Sequence, residues 1–329
     1  MKYIKHFSNL SGQTAYLAEA DIDTYLGYVD ENDTVYYDDV IPERYDNKYF
    51  TIESLGDGNT IYLKASDSTA AKTVSASTDN GETWVEYTSS VDDNGTALAT
   101  LNTGDKLLIK GENAAYAPSQ TVWNQFKSTG QFKVYGNIMS LVSGDSFANA
   151  DTLTESYALY ALFYACPNIT SAENLVLPAT TLSESCYSAM FQGCTSLTTA
   201  PELPATTLAY GCYQGMFSRC TSLTVAPVLS ALNLANWCYA SMFQNCTSLT
   251  TSPALPATTL VRGCYSSIFS NCSNLNSITC LATDISANSC TNDWVYGVGL
   301  TGTFVKNAAM TRWTTGNSGI PSGWTVVDA

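Results

Sequence analysis

The chain has 329 residues, 45% of them hydrophobic, and a formal net charge of −15. That is enough length and apolar content for two or three cored domains. No run of 18 apolar residues exists to cross a membrane. The acidic balance makes nucleic acid a poor partner, because binding it rests on Lys and Arg neutralising phosphates.

The start of the chain has basic residues but no apolar core and no small-residue cleavage site, so no secretory signal is read there. Residues 1–45 are expected to form a small α/β arm. A short helix is expected over 13–20, and strands at 25–29 and 34–37, joined by an acidic turn at 30–33, make a hairpin. The turn lacks the glycine and distal glutamate of a calcium loop and reads as solvated. As an element outside the repeats, the arm is the expected place of attachment if the protein belongs to a larger particle.

Residues 46–118 alternate in the manner of a β-sandwich-like domain, with strands expected at 49–52, 60–64, 72–76, 83–87 and 106–110. Within it, residues 77–84 (Ser-Thr-Asp-Asn-Gly-Glu-Thr-Trp) resemble the Asp-box of sialidase-type propellers, a structural hairpin corner in that family. The Asp79-Asn80-Gly81 run by itself predicts a tight turn. Residues 119–157 are expected to cap the repeats that follow, with strands at 132–137 and 139–142.

From residue 158 to 290 the chain repeats. Segments starting at Cys186, Cys212, Cys238 and Cys264 share one pattern at a spacing of 26 residues, Cys-Tyr-x-x-Met/Ile-Phe-x-x-Cys-Thr/Ser-Ser/Asn-Leu, and the best copies continue through Ala-Pro-x-Leu-Pro-Ala-Thr-Thr-Leu. A fixed period of this length marks units that bury their apolar faces against one another. Cys186, Met190, Phe191 and Cys194 fall at helical spacing, so a short helix of about three turns is expected in each unit. The segment with Leu197, Pro201 and Leu203 suits a short strand or turn. A degenerate first repeat places Leu162, Phe163 and Cys166 in the same slots; Cys290, Trp294 and Val295 keep the register at the other end. Residues 291–329 read as a C-terminal cap.

This pattern resembles the cysteine-containing leucine-rich repeats of the BspA-like family, found in surface proteins of gut and oral anaerobes, in some parasites and in bacteriophages of gut bacteria. Residues 319–326 (Gly-Ile-Pro-Ser-Gly-Trp-Thr-Val) resemble the closing cap of such proteins. The resemblance implies an α+β architecture: a β-rich N-terminal half followed by a leucine-rich-repeat-type solenoid of 26-residue helix/strand coils. It also implies a protein that binds or adheres without chemistry.

Ten of the eleven cysteines sit on repeat positions. Cysteines eight apart on one helix would lie about 12 Å apart, too far to bridge, so they read as stacked core thiols, with bonds between neighbouring coils as the alternative. No metal or cofactor is expected. His6, the only histidine, lies far from the repeats, so no Cys-His or Ser-His pair forms within them. The acids of the repeats, Glu173, Glu184, Glu202 and Asp284, share no slot, and the chain is read as not an enzyme.

The residues before each repeated Cys-Tyr vary while their neighbours stay fixed. Glu184, Tyr210, Asn236, Trp237 and Arg262 are therefore the candidate ligand-binding residues, Tyr, Trp and Arg being types common in interaction hot spots. The repeated Tyr187, Tyr213, Tyr239 and Tyr265 read as packing with the hydroxyl near water. The expected function is surface-displayed recognition or adhesion, as a phage virion component that contacts a host glycan or protein, outside the cell. A bacterial cell-surface adhesin, or a structural decoration or spacer that self-associates, is the alternative. Other virion proteins would meet the N-terminal region, and a homo-oligomer is an open possibility.

Overall fold

The computed structural model describes residues 45–329 throughout and, within 1–44, the backbone of four strands only. The chain divides into two compact units, Met1–Tyr45 and Asp46–Ala329. In the first, β1 (Lys2–Lys5), β2 (Thr14–Ala18), β3 (Tyr28–Val29) and β4 (Val35–Tyr36) form one antiparallel sheet in chain order. The hairpin pairs Tyr28 with Tyr36 and Val29 with Val35. Residues 14–18 are strand rather than the expected helix, paired against β1; the remainder of 13–20, the turn at 30–33 and His6 lie outside the described residues.

The second unit begins with two facing sheets. One holds β12 (Phe132–Asn137), β5 (Phe50–Ser54), β10 (Lys106–Lys110), β7 (Thr73–Ser77) and β8 (Val85–Thr88), in that order; the other holds β11 (Asn124–Ser128), β6 (Asn59–Ala65) and β9 (Thr96–Leu101). Strict alternation on β6, where Ile61, Leu63 and Ala65 are buried, turns one face of each sheet to a shared core with Phe50, Ile52, Val74, Ile109, Phe126 and Val134. The strand expected at 139–142 is instead one turn of helix, α1 (Ser140–Ser143). The Ser140 hydroxyl explains why. It donates to Ile109 O at 2.9 Å and accepts from Phe50 N–H at 2.9 Å, which ties the turn across two strands.

β12 is the hinge of the architecture. Antiparallel to β5 on one side, it pairs in parallel with β13 (Ile169–Ser171) and β14 (Leu175–Val176) on the other, so the sandwich sheet passes directly into the first coil, which is two residues longer than the 26 of those that follow. Phe126 and Phe50 lie 5.9 and 6.0 Å from Phe163, and from there a column of rings runs through Phe191, Phe217, Phe243 and Phe269 at centroid spacings of 5.2–6.0 Å with planes within 11° of parallel. All are buried. Each such ring contributes about 2–3 kcal/mol of burial, and offset stacking adds about 0.5–1.5 kcal/mol per pair.

The coils themselves are not helix/strand units, and leucine-rich-repeat-type coils are not shown. Among the described residues α1 is the only α-helix, and strands dominate the regular structure. Where three helical turns were expected, the chain runs as overlapping β-turns: the amides of Cys186, Ser188, Met190, Gln192 and Cys194 each donate to the carbonyl three residues back. The intervening amides of Ser185, Tyr187, Ala189, Phe191 and Gly193 donate out of the coil, to Tyr210, Cys212, Gln214, Met216 and Ser218 of the next. A helix would use every amide internally; here half of them stitch coil to coil.

The linked turns demand a left-handed residue every fourth position, as the third residue of a type II turn does. Six coils supply three each: Ser185, Ala189 and Gly193 in the second, Trp237, Ser241 and Asn245 in the fourth, and their equivalents elsewhere. Only five of these positions are glycine. Non-glycine residues there cost roughly 1–2 kcal/mol each, and the strain persists because the bonds on both sides fix the backbone. Opposite the turns the coils meet through single parallel bridges such as Thr199 with Val225, just before the prolines. The stack closes with a parallel sheet of β15 (Ser277–Cys280), β16 (Thr303–Lys306) and β17 (Thr325–Asp328). The indole N–H groups of Trp294 and Trp324 bond Gly319 O and Gly299 O at 2.7 Å.

Candidate functional site

The linked turns place residues 26 apart directly over one another, and this is what assembles the candidate site. The carbonyls of Glu184, Tyr210, Asn236, Arg262 and Asn288 accept from Tyr157, Ser185, Gly211, Trp237 and Gly263 of the preceding coils at 2.9–3.2 Å. The five therefore occupy one column at the edge where the turns begin. All five are exposed, Tyr210 at 47%. Backbone pairing fixes the spacing, while the side chains are left free to differ: acid, phenol, amide, guanidinium, amide.

Of the candidates, Glu184, Tyr210, Asn236 and Arg262 are thus brought together. Trp237 is not in that column. It fills the adjacent left-handed slot, half-buried, with its ring laid over Gly263 of the next coil. A side chain of any size at Gly263 would collide with it, so Trp237 acts as a brace between coils as much as a surface residue.

Beneath the column the interior is sealed. Tyr187, Tyr213, Tyr239 and Tyr265 form a second ring ladder at 5.7–6.2 Å. They are buried, and the hydroxyls of Tyr187 and Tyr213 have no partner, contrary to the expected approach to water. Leaving a buried hydroxyl unpaired costs about 1–3 kcal/mol. The ring stacking and burial offset it. All eleven cysteines are unpaired and buried. Burial pushes the Cys212 and Cys272 thiols up to about 12, far from the range of a nucleophilic thiolate. What spacing did not reveal is that the second cysteine of each coil bonds: Cys194, Cys220, Cys246 and Cys272 donate to Phe163, Phe191, Phe217 and Phe243 O at 2.9–3.1 Å.

In the sandwich, the Asp-box-like turn is a structural corner. Asp79 accepts from the Ser77 and Thr83 hydroxyls and the Thr83 amide, and these bonds hold its carboxyl down at about 2. Nearby, Lys110 sits 4.3 Å over the Trp84 ring and bonds both oxygens of Asp145, which also accepts from Tyr49. Lys110 and the Tyr49 hydroxyl each hold Asp145 low, so this cluster is a closed ion pair with no proton poised to move. Among the described residues no group of three or more His, Cys, Asp or Glu side chains could hold a metal ion, and no helix is long and apolar enough to cross a membrane.

No family model matches the chain, and neither the curated proteins nor the solved structures give a match.

Proposed function

We propose that the protein is a non-enzymatic recognition module that presents the Glu184, Tyr210, Asn236 and Arg262 column to a surface glycan or protein. The observation that carries this reading is the contrast within one scaffold. Phe, Tyr and Cys slots repeat coil after coil and are buried, whereas the exposed slot stacked beside them changes its chemistry at every step. Aligned polar and aromatic groups on a stiff stack suit a repeating or extended ligand, because the stack loses little further freedom on binding. The sequence resemblance to BspA-like surface proteins supports display on a virion or a cell surface.

The test is binding of the full chain to a glycan array and to whole bacterial cells, beside a Tyr210→Ala/Arg262→Ala variant. At least a tenfold loss of signal in the variant is expected. A chain that binds neither, or a variant that binds as well as the parent, overturns the proposal.

A further inference from the structure

One coil breaks the pattern of its neighbours on the face opposite the turns. Where the flanking coils have Thr199 and Thr251, it has Val225; for Glu202 and Ala254 it has Val228; for Thr206 and Thr258 it has Leu232. These three are exposed at 70%, 77% and 65%. The same coil interrupts the main-chain ladder. Thr199 bridges Val225, and Thr251 bridges Ser277, but Val225 does not bridge Thr251, and Asn233 bridges neither Thr207 nor Thr259. Ala172 and Ser252 donate to the following coil at 3.0 and 2.9 Å, while the corresponding amides of Ala200 and Ala226, on either side of the break, make no bond.

Beside this break lies a groove of about 550 Å³ lined by Glu173, the 199–204 segment, the 225–228 segment and Ser230. Its walls are apolar and proline-stiffened. Both of its charged residues, Glu173 and Glu202, are exposed acids.

We propose that this groove docks an extended peptide segment of another protein, apolar along its inward face and carrying a lysine or arginine to meet Glu173 and Glu202. An extended chain supplies what the break lacks: carbonyls for the free Ala226 amide and side chains to cover Val225 and Val228, as in strand addition to an open sheet edge. A sugar is disfavoured because no aromatic ring lines the groove for it to stack on. A second copy of the chain, itself at −15, would bring like charge to the two glutamates.

The probe is a phage-displayed random heptapeptide library panned against the full chain. The counter-target is a Val225→Thr/Val228→Ala/Leu232→Thr variant, which restores residues already present in the flanking coils and so keeps the fold. Enrichment of peptides alternating apolar and polar residues with at least one Lys or Arg is expected. A synthetic peptide of the enriched sequence should bind the variant at least tenfold more weakly, and should lose affinity for a Glu173→Lys/Glu202→Lys chain that a Lys→Glu peptide recovers. Equal enrichment on chain and variant, no basic preference, no enrichment at all, or concentration-dependent self-association abolished by the triple variant would each overturn the proposal. Unchanged circular dichroism of both variants verifies that the fold is intact.

Discussion

The thiol of Cys220 donates a 3.1 Å hydrogen bond to the main-chain carbonyl of Phe191 in the preceding coil, and the Phe191 amide is itself held by Met216 O in the following one. The cysteine is thus a donor at a fixed place rather than only a small apolar filler. Cys220→Val keeps the volume and removes the donor; Cys220→Ser keeps a donor. The Phe191 carbonyl keeps the Cys194 amide as a donor, so we expect Val to cost about 0.5–1.5 kcal/mol, from the lost second bond and imperfect fit, and Ser to cost less, in denaturant unfolding under reducing conditions. Serine as damaging as valine would show that the bond contributes nothing.

The same burial governs reactivity. Native protein should leave its thiols unreacted with an aromatic disulfide reagent near neutral pH, where the raised pKa values of Cys212, Cys264 and Cys280, each about 12, keep thiolate scarce. After unfolding without reductant, all eleven should react. Fewer than eleven would mean that bridges between coils had formed.

A glycine substitution separates linked turns from a helix by the sign of its effect. Ser241 and Ser267 hold φ of 55° and 53°. Ser241→Gly or Ser267→Gly should stabilise by up to about 1 kcal/mol, because glycine adopts that backbone without steric cost. In an α-helix the same change would destabilise. A lower melting temperature in both variants would refute the turn geometry.

That contrast also explains which parts of the fold could be read from the residues. The 26-residue interval, the Phe163-to-Phe269 register and the burial of the cysteines follow from side chains that must pack on their own copies. The local backbone did not follow, because Cys186, Met190 and Cys194 share a face at a spacing of four in a helix and equally in turns that repeat every four residues. The distinguishing signal lay elsewhere. Ser185, Gly193, Gly211, Gly215, Asn245, Gly263 and Asn271 are residues that tolerate a left-handed backbone, and they recur four apart within coils and 26 apart between them. The Glu184–Arg262 column was legible as variation within a repeat. The groove beside Val225 was not, because it depends on which bridges fail to form.

Acid should loosen the 77–84 corner as the pH falls below about 4. The Ser77 and Thr83 bonds to ionised Asp79 depress its pKa to about 2 from an ordinary value near 3.8. A depressed carboxyl contributes stability above its unfolded pKa, and that contribution fades as pH falls through the folded one. The window is therefore between about pH 4 and pH 2. A carboxyl NMR titration should place the Asp79 midpoint near 2, and Asp79→Asn should remove the acid-dependent part of hairpin protection in hydrogen exchange. An Asp79 midpoint near 4 would contradict the bond network.

Trp237 and Gly263 should be energetically coupled. Gly263 has φ of 65°, and a Cβ there would sit 2.5 Å from Cε3 of the Trp237 ring, well inside contact distance. Gly263→Ala thus adds left-handed strain of about 1–2 kcal/mol to a clash that must push the indole off its bed. Trp237→Ala alone loses the ring's burial and costs about 1–3 kcal/mol for a half-buried aromatic. Combined, the second change removes the clash that the first created, so the double variant should be more stable than the sum of the singles predicts by more than 1 kcal/mol, a coupling typical of residues in contact. The measurement is a double-mutant cycle by denaturant unfolding. Additive effects would mean that the indole does not lie over Gly263, and would free Trp237 to be counted with the exposed column rather than beneath it.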